Sequence, residues 1–359
     1  MLLAVLESRN LLFSEAAQAV YELDDFSAYV WRSMQAGLGQ SDIAREMAEA
    51  GAEPVESAGT IQSAILKLRD LQASDTAERK RRSPPAEPLT CMKLCISGVS
   101  VQLSLADALR AEIEDVFGPY VCESSKSHAQ LSARLVGETV ELLLPGQPGT
   151  TCERAEFVPL LKAFLIDCVL EFATHEVALH AAALVAEGKA LLLLGSPGSG
   201  KTTLATALAR RGFKVAADDV VLLDGTGRVT GLPLPFTVKE TAWTMLSPEW
   251  PGLAEQPAYR RPDGIQVRYL QHDLWADPGP LPVRRVVLLN RQSSACASLD
   301  EVGAVPALEA LIAEGHSRDE RLSEAGFAAL ATALGDARCF RLTYSDRVEA
   351  AQLVTSLAS

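Results

Sequence analysis

Short apolar or alternating runs open the chain and predict strands. They lie at Leu2–Glu7, Leu11–Phe13 and Ala19–Leu23, and their lengths and period are typical of a three-stranded sheet. The hydrophobic period then changes from that of a strand to that of a helix. The first helical pattern is formed by Phe26, Val30, Trp31 and Met34.

Two more helices are predicted before residue 75. Ser41 is placed to cap one of them, which carries Ile43, Met47 and Ala50. Thr60 is placed to cap the other, whose apolar face is formed by Ile61, Ile65, Leu68 and Leu71. A sheet followed by three helices predicts a small winged-helix-like α+β domain.

The segment TAERKRRSPPAEP, residues 76–88, is charged and contains prolines without apolar periodicity. This composition is typical of a linker. We therefore predict a domain at 1–75, a linker at 76–91 and a second domain at 92–359.

The second domain contains a strand, a glycine-rich loop and a helix in direct succession. Leu191–Leu194 is a fully apolar run, the loop Gly195–Thr202 follows it, and Thr203–Arg210 has a helical pattern. Before them, Leu179–Ala186 resembles a strand and Glu187-Gly188 a turn, so the strand before the loop is predicted to be the second arm of a hairpin.

The loop sequence GSPGSGKT is a GxxxxGK(S/T) phosphate loop in its required context. Backbone N–H groups and the helix N-terminus favour phosphate there, Lys201 reaches the β- and γ-phosphates, and Thr202 offers a hydroxyl to Mg²⁺. The alternative is an ordinary glycine-rich turn. The residues predicted to bind ATP are Gly195, Ser196, Pro197, Gly198, Ser199, Gly200, Lys201, Thr202 and Thr203.

Charge and cysteine usage narrow the classes of partner. The formal net charge is −13, and residues 1–75 carry 5 Lys and Arg against 12 Asp and Glu, a net of −7. Such a field repels nucleic acid and anionic lipid surfaces, so we expect neither as a partner. The seven cysteines form no CxxC pair, and the N-terminus lacks the basic region of a signal peptide, so we expect a cytoplasmic protein with reduced thiols.

Two adjacent acids and a histidine flank the phosphate loop. Asp218 and Asp219 lie in the strand-like segment 212–223, where one could hold Mg²⁺ and the other take a proton from an attacking hydroxyl. The alternative for them is a turn between two strands. His180 lies in an apolar strand, where a histidine satisfied within the core is the alternative.

These stretches resemble the catalytic domain of HPr kinase/phosphorylase, which has a phosphoenolpyruvate carboxykinase-like α/β fold. The resemblance covers about 92–359 and is specific at His180–Leu223. It implies Asp219 as general base assisted by His180, with Lys201 as the third catalytic residue. It implies Thr202, Asp218 and Glu240 as metal ligands and a homo-oligomeric assembly.

This resemblance has limits. The family's segment for phosphorolysis is not recognisable, and GLPLPFTVKE, residues 231–240, stands roughly in its place. Lys239, Arg261 and Arg268 are further candidates for contact with phosphate or substrate, with surface charge as the alternative.

The first domain resembles the PqqD-like peptide-recognition elements. The resemblance is carried by AVYELD (19–24), AYVW (28–31) and GQSDIA (39–44). It implies that a peptide adds to the edge strand Ala19–Leu23 and packs beside the helix Ile61–Leu71. The implied peptide contacts are Ala19, Tyr21, Leu23, Ile61, Ile65 and Leu68, for which core packing is the alternative.

Together these patterns predict a kinase that uses ATP and Mg²⁺ to phosphorylate a Ser or Thr hydroxyl of a ribosomally made peptide or small protein. The N-terminal domain would hold that substrate. Two alternatives stay open: a kinase for a small molecule such as free serine, and a non-catalytic ATP-dependent binding or regulatory protein.

Overall fold

The computed structural model describes residues 1–6, 9–14, 19–49, 60–61, 64–69, 71–72, 89–145, 149–316 and 321–357. Two compact units make up the chain: unit 1 is Met1–Leu89 with Leu131–Cys152, and unit 2 is Thr90–Gln130 with Glu153–Ser359. Residues 131–152 therefore belong to a different unit from the one predicted. The linker prediction at 76–88 lies outside the described residues, and a strand already begins at Leu89.

The strands are numbered in chain order. They are β1 (Leu2–Leu6), β2 (Arg9–Ser14), β3 (Ala19–Leu23), β4 (Leu89–Ile96), β5 (Val99–Ala106), β6 (Ala129–Val136), β7 (Thr139–Leu143), β8 (Thr150–Glu153), β9 (Val177–His180), β10 (Ala182–Ala186), β11 (Lys189–Leu194), β12 (Lys214–Ala217), β13 (Val220–Leu223), β14 (Arg228–Gly231), β15 (Phe236–Lys239), β16 (Tyr259–Arg260), β17 (Gln266–Leu270), β18 (Leu281–Arg291), β19 (Ser298–Val302), β20 (Gly315–His316) and β21 (Arg338–Tyr344).

The helices are numbered in the same way. They are α1 (Asp25–Gln35), α2 (Gln40–Glu49), α3 (Arg110–Phe117), α4 (Arg154–Phe172), α5 (Lys201–Ala209), α6 (Glu240–Leu246), α7 (Ala304–Ala313), α8 (Glu324–Gly335) and α9 (Arg347–Ser356). Residues 60–61, 64–69 and 71–72 are also helical, and single 3₁₀ turns lie at Asp107–Leu109, Gly118–Tyr120 and Pro251–Leu253. None of the described helices has both the length and the apolarity needed to cross a membrane.

Unit 1 contains the predicted three-stranded antiparallel sheet, in the order β1-β2-β3. Asp24 caps α1, since its side chain accepts a hydrogen bond from the Ser27 N–H at 2.6 Å. Helix α2 begins at Gln40, so Ser41 lies inside it and the predicted cap at Ser41 is wrong. The PqqD-like assignment of this unit stays a prediction.

The helical face predicted to contact a peptide lies in the core of unit 1. Ile61, Ile65 and Leu68 are only 0%, 9% and 2% exposed, and they pack with Leu12 and Trp31. Burying each of these aliphatic side chains stabilises the unit by about 1.5–3 kcal/mol, which explains the helical spacing without a ligand. Their side chains offer no surface to a peptide, and the prediction that they contact one is corrected accordingly.

In unit 2, a mixed sheet of ten strands among the described residues is the main structural element. Its path is β12-β10-β11-β18-β14-β13-β9-β20, and β21 pairs with both β18 and β19. The pairs β11–β18 and β18–β21 are parallel, and the other pairs along the path are antiparallel. This confirms the α/β class in its coarse form, since helices follow parallel strands in the same sheet.

Helices cover both faces of this sheet, which explains why β11 is apolar from Ala190 to Leu194. Leu191 and Leu193 pack on one side with residues of α5 and α9, whereas Leu192 and Leu194 pack on the other with residues of α7 and α8. A strand buried on both faces has no polar positions to alternate. The end of β11, where the phosphate loop begins, is therefore anchored in two cores.

The predicted hairpin is confirmed for β10 and β11, which pair antiparallel from Ala182↔Leu193 to Ala186↔Lys189. The predicted single strand Leu179–Ala186, however, is broken at Ala181. Its first part, β9, pairs with β13 and β20 instead of β11. His180 is consequently positioned by β13 and not by the hairpin.

A close backbone approach at Gly231 shapes the sheet beside the site. A Cβ at this position would lie 2.2 Å from the Ala216 carbonyl oxygen, and Ala216 is two residues before Asp218. We expect Gly231→Ala to destabilise the protein by roughly 4 kcal/mol or more, because backbone must shift. Thermal unfolding checks this, with Gly252→Ala as control, since no atom lies within 4 Å of a Cβ there. Equal melting of both variants would contradict it.

Candidate active site

The phosphate loop connects the buried end of β11 to the first turn of α5. Gly200 precedes the helix at φ +94°, a left-handed conformation that favours glycine. A Cβ at Gly200 would also lie 2.7 Å from the Tyr344 hydroxyl, which donates a hydrogen bond to the Ser199 carbonyl at 2.5 Å. Tyr344 therefore supports the loop at Ser199 and Gly200, and no pattern in the sequence indicates this role.

Lys201 is the first residue of α5, and its side chain is 8% exposed. Its Nζ donates a hydrogen bond to the Gly195 carbonyl, at the start of the same loop. Burial lowers the pKa of Lys201, opposed by the charges of Glu314, Asp219 and Asp218. An ammonium close to a helix N-terminus adds to the partial positive charge of the backbone N–H groups there, which gives the loop the positive potential that a phosphate requires.

Asp218 lies beneath the loop and is 4% exposed. One carboxylate oxygen, Oδ2, accepts hydrogen bonds from Thr202 Oγ1 at 3.3 Å and from the Thr237 N–H at 3.2 Å. The other oxygen, Oδ1, is buried without a hydrogen-bond partner. Burial, together with the neighbouring charge of Asp219, raises the pKa of Asp218 to about 6.

The pKa of Asp219 is lowered, whereas that of Asp218 is raised. Its Oδ1 lies 3.0 Å from Nδ1 of His180, and the two side chains are 40% and 38% exposed. Burial alone would raise the pKa of Asp219, but the hydrogen bond from His180 and the charges of Lys162 and Lys201 hold that pKa well below its usual range. Asp219 is therefore an anion at neutral pH, and its side chain is partly exposed.

The two acids occupy a bend between strands and not the interior of a strand, which corrects the prediction from residues 212–223. Strand β12 ends at Ala217 and β13 begins at Val220. In the β9–β13 pair, His180 is opposite Val220, and this register brings the imidazole beside Asp219. The alternative, a turn between two strands, therefore describes the backbone correctly. The side chains of both acids nevertheless lie beside the phosphate loop.

A cleft of about 410 Å³ collects these groups. Eight of the nine predicted nucleotide-binding residues, 196–203, line it together with His180, Asp218 and Asp219. Gly195 does not line the cleft and contributes its carbonyl to Lys201 instead. Lys239 and Arg261 also line it, whereas Arg268 stacks on the Trp243 ring at 4.2 Å.

Glu240 is not brought to the predicted metal position. It is exposed at the start of α6 and is absent from the cleft, although its neighbours Lys239 and Thr241 line it. Two other residues were missed from sequence: Thr237, which donates to Asp218, and Arg291, which lines the cleft at the end of β18. Their only sequence signal is proximity to strand ends.

The oxygens at the loop fit Mg²⁺ bound together with a nucleotide. No cluster of three His, Cys, Asp or Glu among the described residues forms a protein-only metal site. Mg²⁺ does not need one, because it binds through one or two carboxylates together with substrate phosphates. The unpartnered Oδ1 of Asp218 and the Thr202 hydroxyl are the ligands that remain for it.

This geometry predicts a pH dependence of nucleotide binding with Mg²⁺. The Asp218 carboxyl is protonated below about 6, and a metal ligand must be ionised, so affinity falls as pH drops, by up to about tenfold per unit. Fluorescence titration with a nucleotide analogue at pH 4.5–8 measures this. In Asp218→Asn this part of the pH dependence should disappear, so that only the part due to ionisation of the nucleotide's own phosphate remains. A pH dependence equal to that of the wild type in this variant would contradict the role of Asp218 as a metal ligand.

No protein-family model and no curated protein matches this sequence. Among solved structures, the chain has a similarity to the HPr(Ser) kinase/phosphatase from Coxiella burnetii, with a TM-score of 0.22 and 12% sequence identity. The match covers 50% of this chain and 95% of that one. A TM-score this low carries no argument about fold or activity, so the functional proposal depends on the geometry of the site.

Proposed function

We propose that this chain is an ATP-dependent kinase that transfers a phosphoryl group to a Ser or Thr hydroxyl. The observation that carries the proposal is the Asp219–His180 pair, joined at 3.0 Å, in the same cleft as the phosphate loop. A phosphate loop alone binds nucleotide. A fixed carboxylate beside it supplies a proton acceptor for an attacking hydroxyl.

Each group has a defined task in the proposed reaction. The hydroxyl oxygen attacks the γ-phosphorus of ATP, a new O–P bond forms, and the bond from the γ-phosphorus to the β,γ-bridging oxygen breaks, so that ADP leaves. Asp219 accepts the hydroxyl proton through the oxygen that His180 does not hold. Lys201 stabilises the negative charge on the phosphates, and Thr202 and Asp218 would hold Mg²⁺, which would supply further positive charge to the phosphates.

The low pKa of Asp219 fits a late transfer of the hydroxyl proton better than an early one. A carboxylate held well below its usual pKa is a weak base toward a neutral hydroxyl. In a loose phosphoryl-transfer transition state the hydroxyl becomes acidic only as the new bond forms. Asp219 would then orient the hydroxyl first and take the proton late.

As the acceptor we propose a ribosomally made peptide or small protein that docks on unit 1. Strand β3 lies at the edge of the three-stranded sheet, where a peptide strand could add by backbone hydrogen bonds. On the sheet, the exposed side chains of Leu2, Phe13 and Val20 lie opposite one another across the three strands. An exposed apolar row beside an edge strand supports peptide docking there.

A small-molecule acceptor is the second candidate, and one observation favours it. Every residue that lines the cleft belongs to unit 2, so the reacting groups are complete without unit 1. A compact hydroxyl compound such as free serine would then meet the same Asp219 and phosphate loop.

Transfer of phosphate from ATP tests the proposal on the intact chain. Peptides encoded by short reading frames beside its gene, and free L-serine and L-threonine, are each incubated with γ-labelled ATP and Mg²⁺. A phosphorylated peptide supports the first acceptor and phosphoserine the second. Nucleotide binding without any phosphorylated product, or release of inorganic phosphate alone, would contradict the kinase and favour a binding protein or an ATPase.

A further inference from the structure

Lys162 is a buried lysine that contacts Thr237, one of the residues that line the cleft. Lys162 lies in α4, is 5% exposed, and is flanked in sequence by fully buried Leu161 and by Leu165 one turn later. The helix begins with a capping box between Glu153 and Glu156, which fixes the start of the helix and hence the position of Lys162 along it.

The hydrogen bonds of Lys162 go to neutral oxygens. Its Nζ donates to Thr237 Oγ1 at 2.5 Å and to the Pro235 carbonyl at 3.3 Å, and it lies 5.6 Å from the centre of the Tyr269 ring. Removing an ammonium from water is unfavourable unless charge nearby compensates. Neutral partners alone do not supply that compensation, so the negative charge of the site must contribute.

Two facts connect Lys162 to that negative charge. Thr237, whose hydroxyl accepts from Lys162, donates its backbone N–H to Asp218 Oδ2 at 3.2 Å. At both Asp218 and Asp219 burial acts most strongly to raise the pKa, and the charge of Lys162 is among the influences that lower it. Lys162 thus acts on the acids by a hydrogen-bonded chain and by its field.

We propose that Lys162 is a positioning residue for metal binding: through Thr237 it orients Asp218, and its fixed charge keeps two adjacent carboxylates compatible in one site. It would touch neither nucleotide nor acceptor. This role builds on the proposed function, since it concerns the Mg²⁺ that accompanies the nucleotide. Partners behind a metal ligand fix its orientation, and their loss typically weakens metal binding by about 10–100-fold.

The test measures nucleotide binding at varied Mg²⁺ and in EDTA, using a fluorescent ADP analogue and the full chain. For Lys162→Met, which keeps an unbranched apolar stem and removes the ammonium, we expect the Mg²⁺ concentration at half-saturation to rise roughly 10–100-fold. Binding in EDTA should stay at the wild-type level, because the loop itself is untouched. Thermal unfolding of each variant verifies that it is folded.

Thr237 supplies a matched pair of variants for the same chain of contacts. Thr237→Val removes the hydroxyl and should shift the Mg²⁺ dependence in the same direction as Lys162→Met, whereas Thr237→Ser keeps the hydroxyl and should behave as wild type. These variants retain the lysine charge, so they separate the hydrogen-bonded chain from the field.

The outcomes separate the two proposals. Wild-type Mg²⁺ dependence in Lys162→Met, or an equal loss of binding with and without Mg²⁺, would overturn the role of Lys162. A shifted Mg²⁺ dependence in a chain that transfers no phosphate would support Lys162 and overturn the kinase. A wild-type chain that binds no nucleotide overturns both.

Discussion

Replacing Asp219 with asparagine should lower phosphoryl transfer by roughly 10²–10⁴-fold while the protein still binds nucleotide. The amide keeps the size of the side chain but cannot accept the hydroxyl proton. It also removes an anion close to the phosphate site, since the charge of Asp219 acts on Lys201. Binding of ATP should therefore be equal to or tighter than that of the wild type. Product formation and nucleotide titration are measured on the same preparation.

Asp300→Asn is the matched control for Asp219, because Asp300 is an exposed acid on β19 whose loss leaves the cleft unchanged. It should transfer phosphate at the wild-type rate. Full transfer by Asp219→Asn would show that the carboxylate is not the proton acceptor. Loss of nucleotide binding in that variant would instead indicate that Asp219 holds the metal.

The second large effect is expected at Lys201. Lys201→Met preserves the apolar stem within the first turn of α5 and removes the ammonium that we propose contacts the phosphates. We expect transfer to fall by roughly 10²–10³-fold, comparable to the loss of one strong donor to a transition-state oxyanion. Nucleotide should also stabilise the fold less: saturation at about 100 times Kd gives about 2.7 kcal/mol, and this gain should shrink in the variant.

Thermal unfolding with and without ATP and Mg²⁺ measures this difference directly. Lys189→Met serves as control, since Lys189 is an exposed lysine at the start of the same strand, β11, that leads into the loop. It should retain both the stabilisation and the transfer. A Lys201→Met protein that ATP stabilises as strongly as the wild type would contradict phosphate binding at this loop.

The local part of the site could be predicted from sequence. The strand, loop and helix around Gly195–Thr202 are contiguous, and the short hairpin β10–β11 needs only a two-residue turn at Glu187-Gly188. Local contacts of this kind leave a pattern in neighbouring residues. The break at Ala181 left no such pattern, because apolar residues continue across it while the pairing partner changes from β13 to β11.

Unit 1 shows why a helical pattern does not identify a binding face. The spacing of Ile61, Ile65 and Leu68 predicted a helix, and these positions are helical in the structure. The same spacing would arise from a core or from a peptide groove, since both need an apolar stripe. Burial against Leu12 and Trp31 shows that these side chains form core.

The sequence by itself determined the glycine-rich loop after β11, the adjacent acids and the α/β class, because these depend on residues that are neighbours in the chain. Only the tertiary structure decided which groups meet. It placed His180 beside Asp219 through the β9–β13 register, left Glu240 outside the cleft, and brought Lys162 beneath Asp218 from a helix 56 residues earlier. Strand register and helix packing join distant residues, and the local periodicity of a sequence does not record which strands or helices become partners.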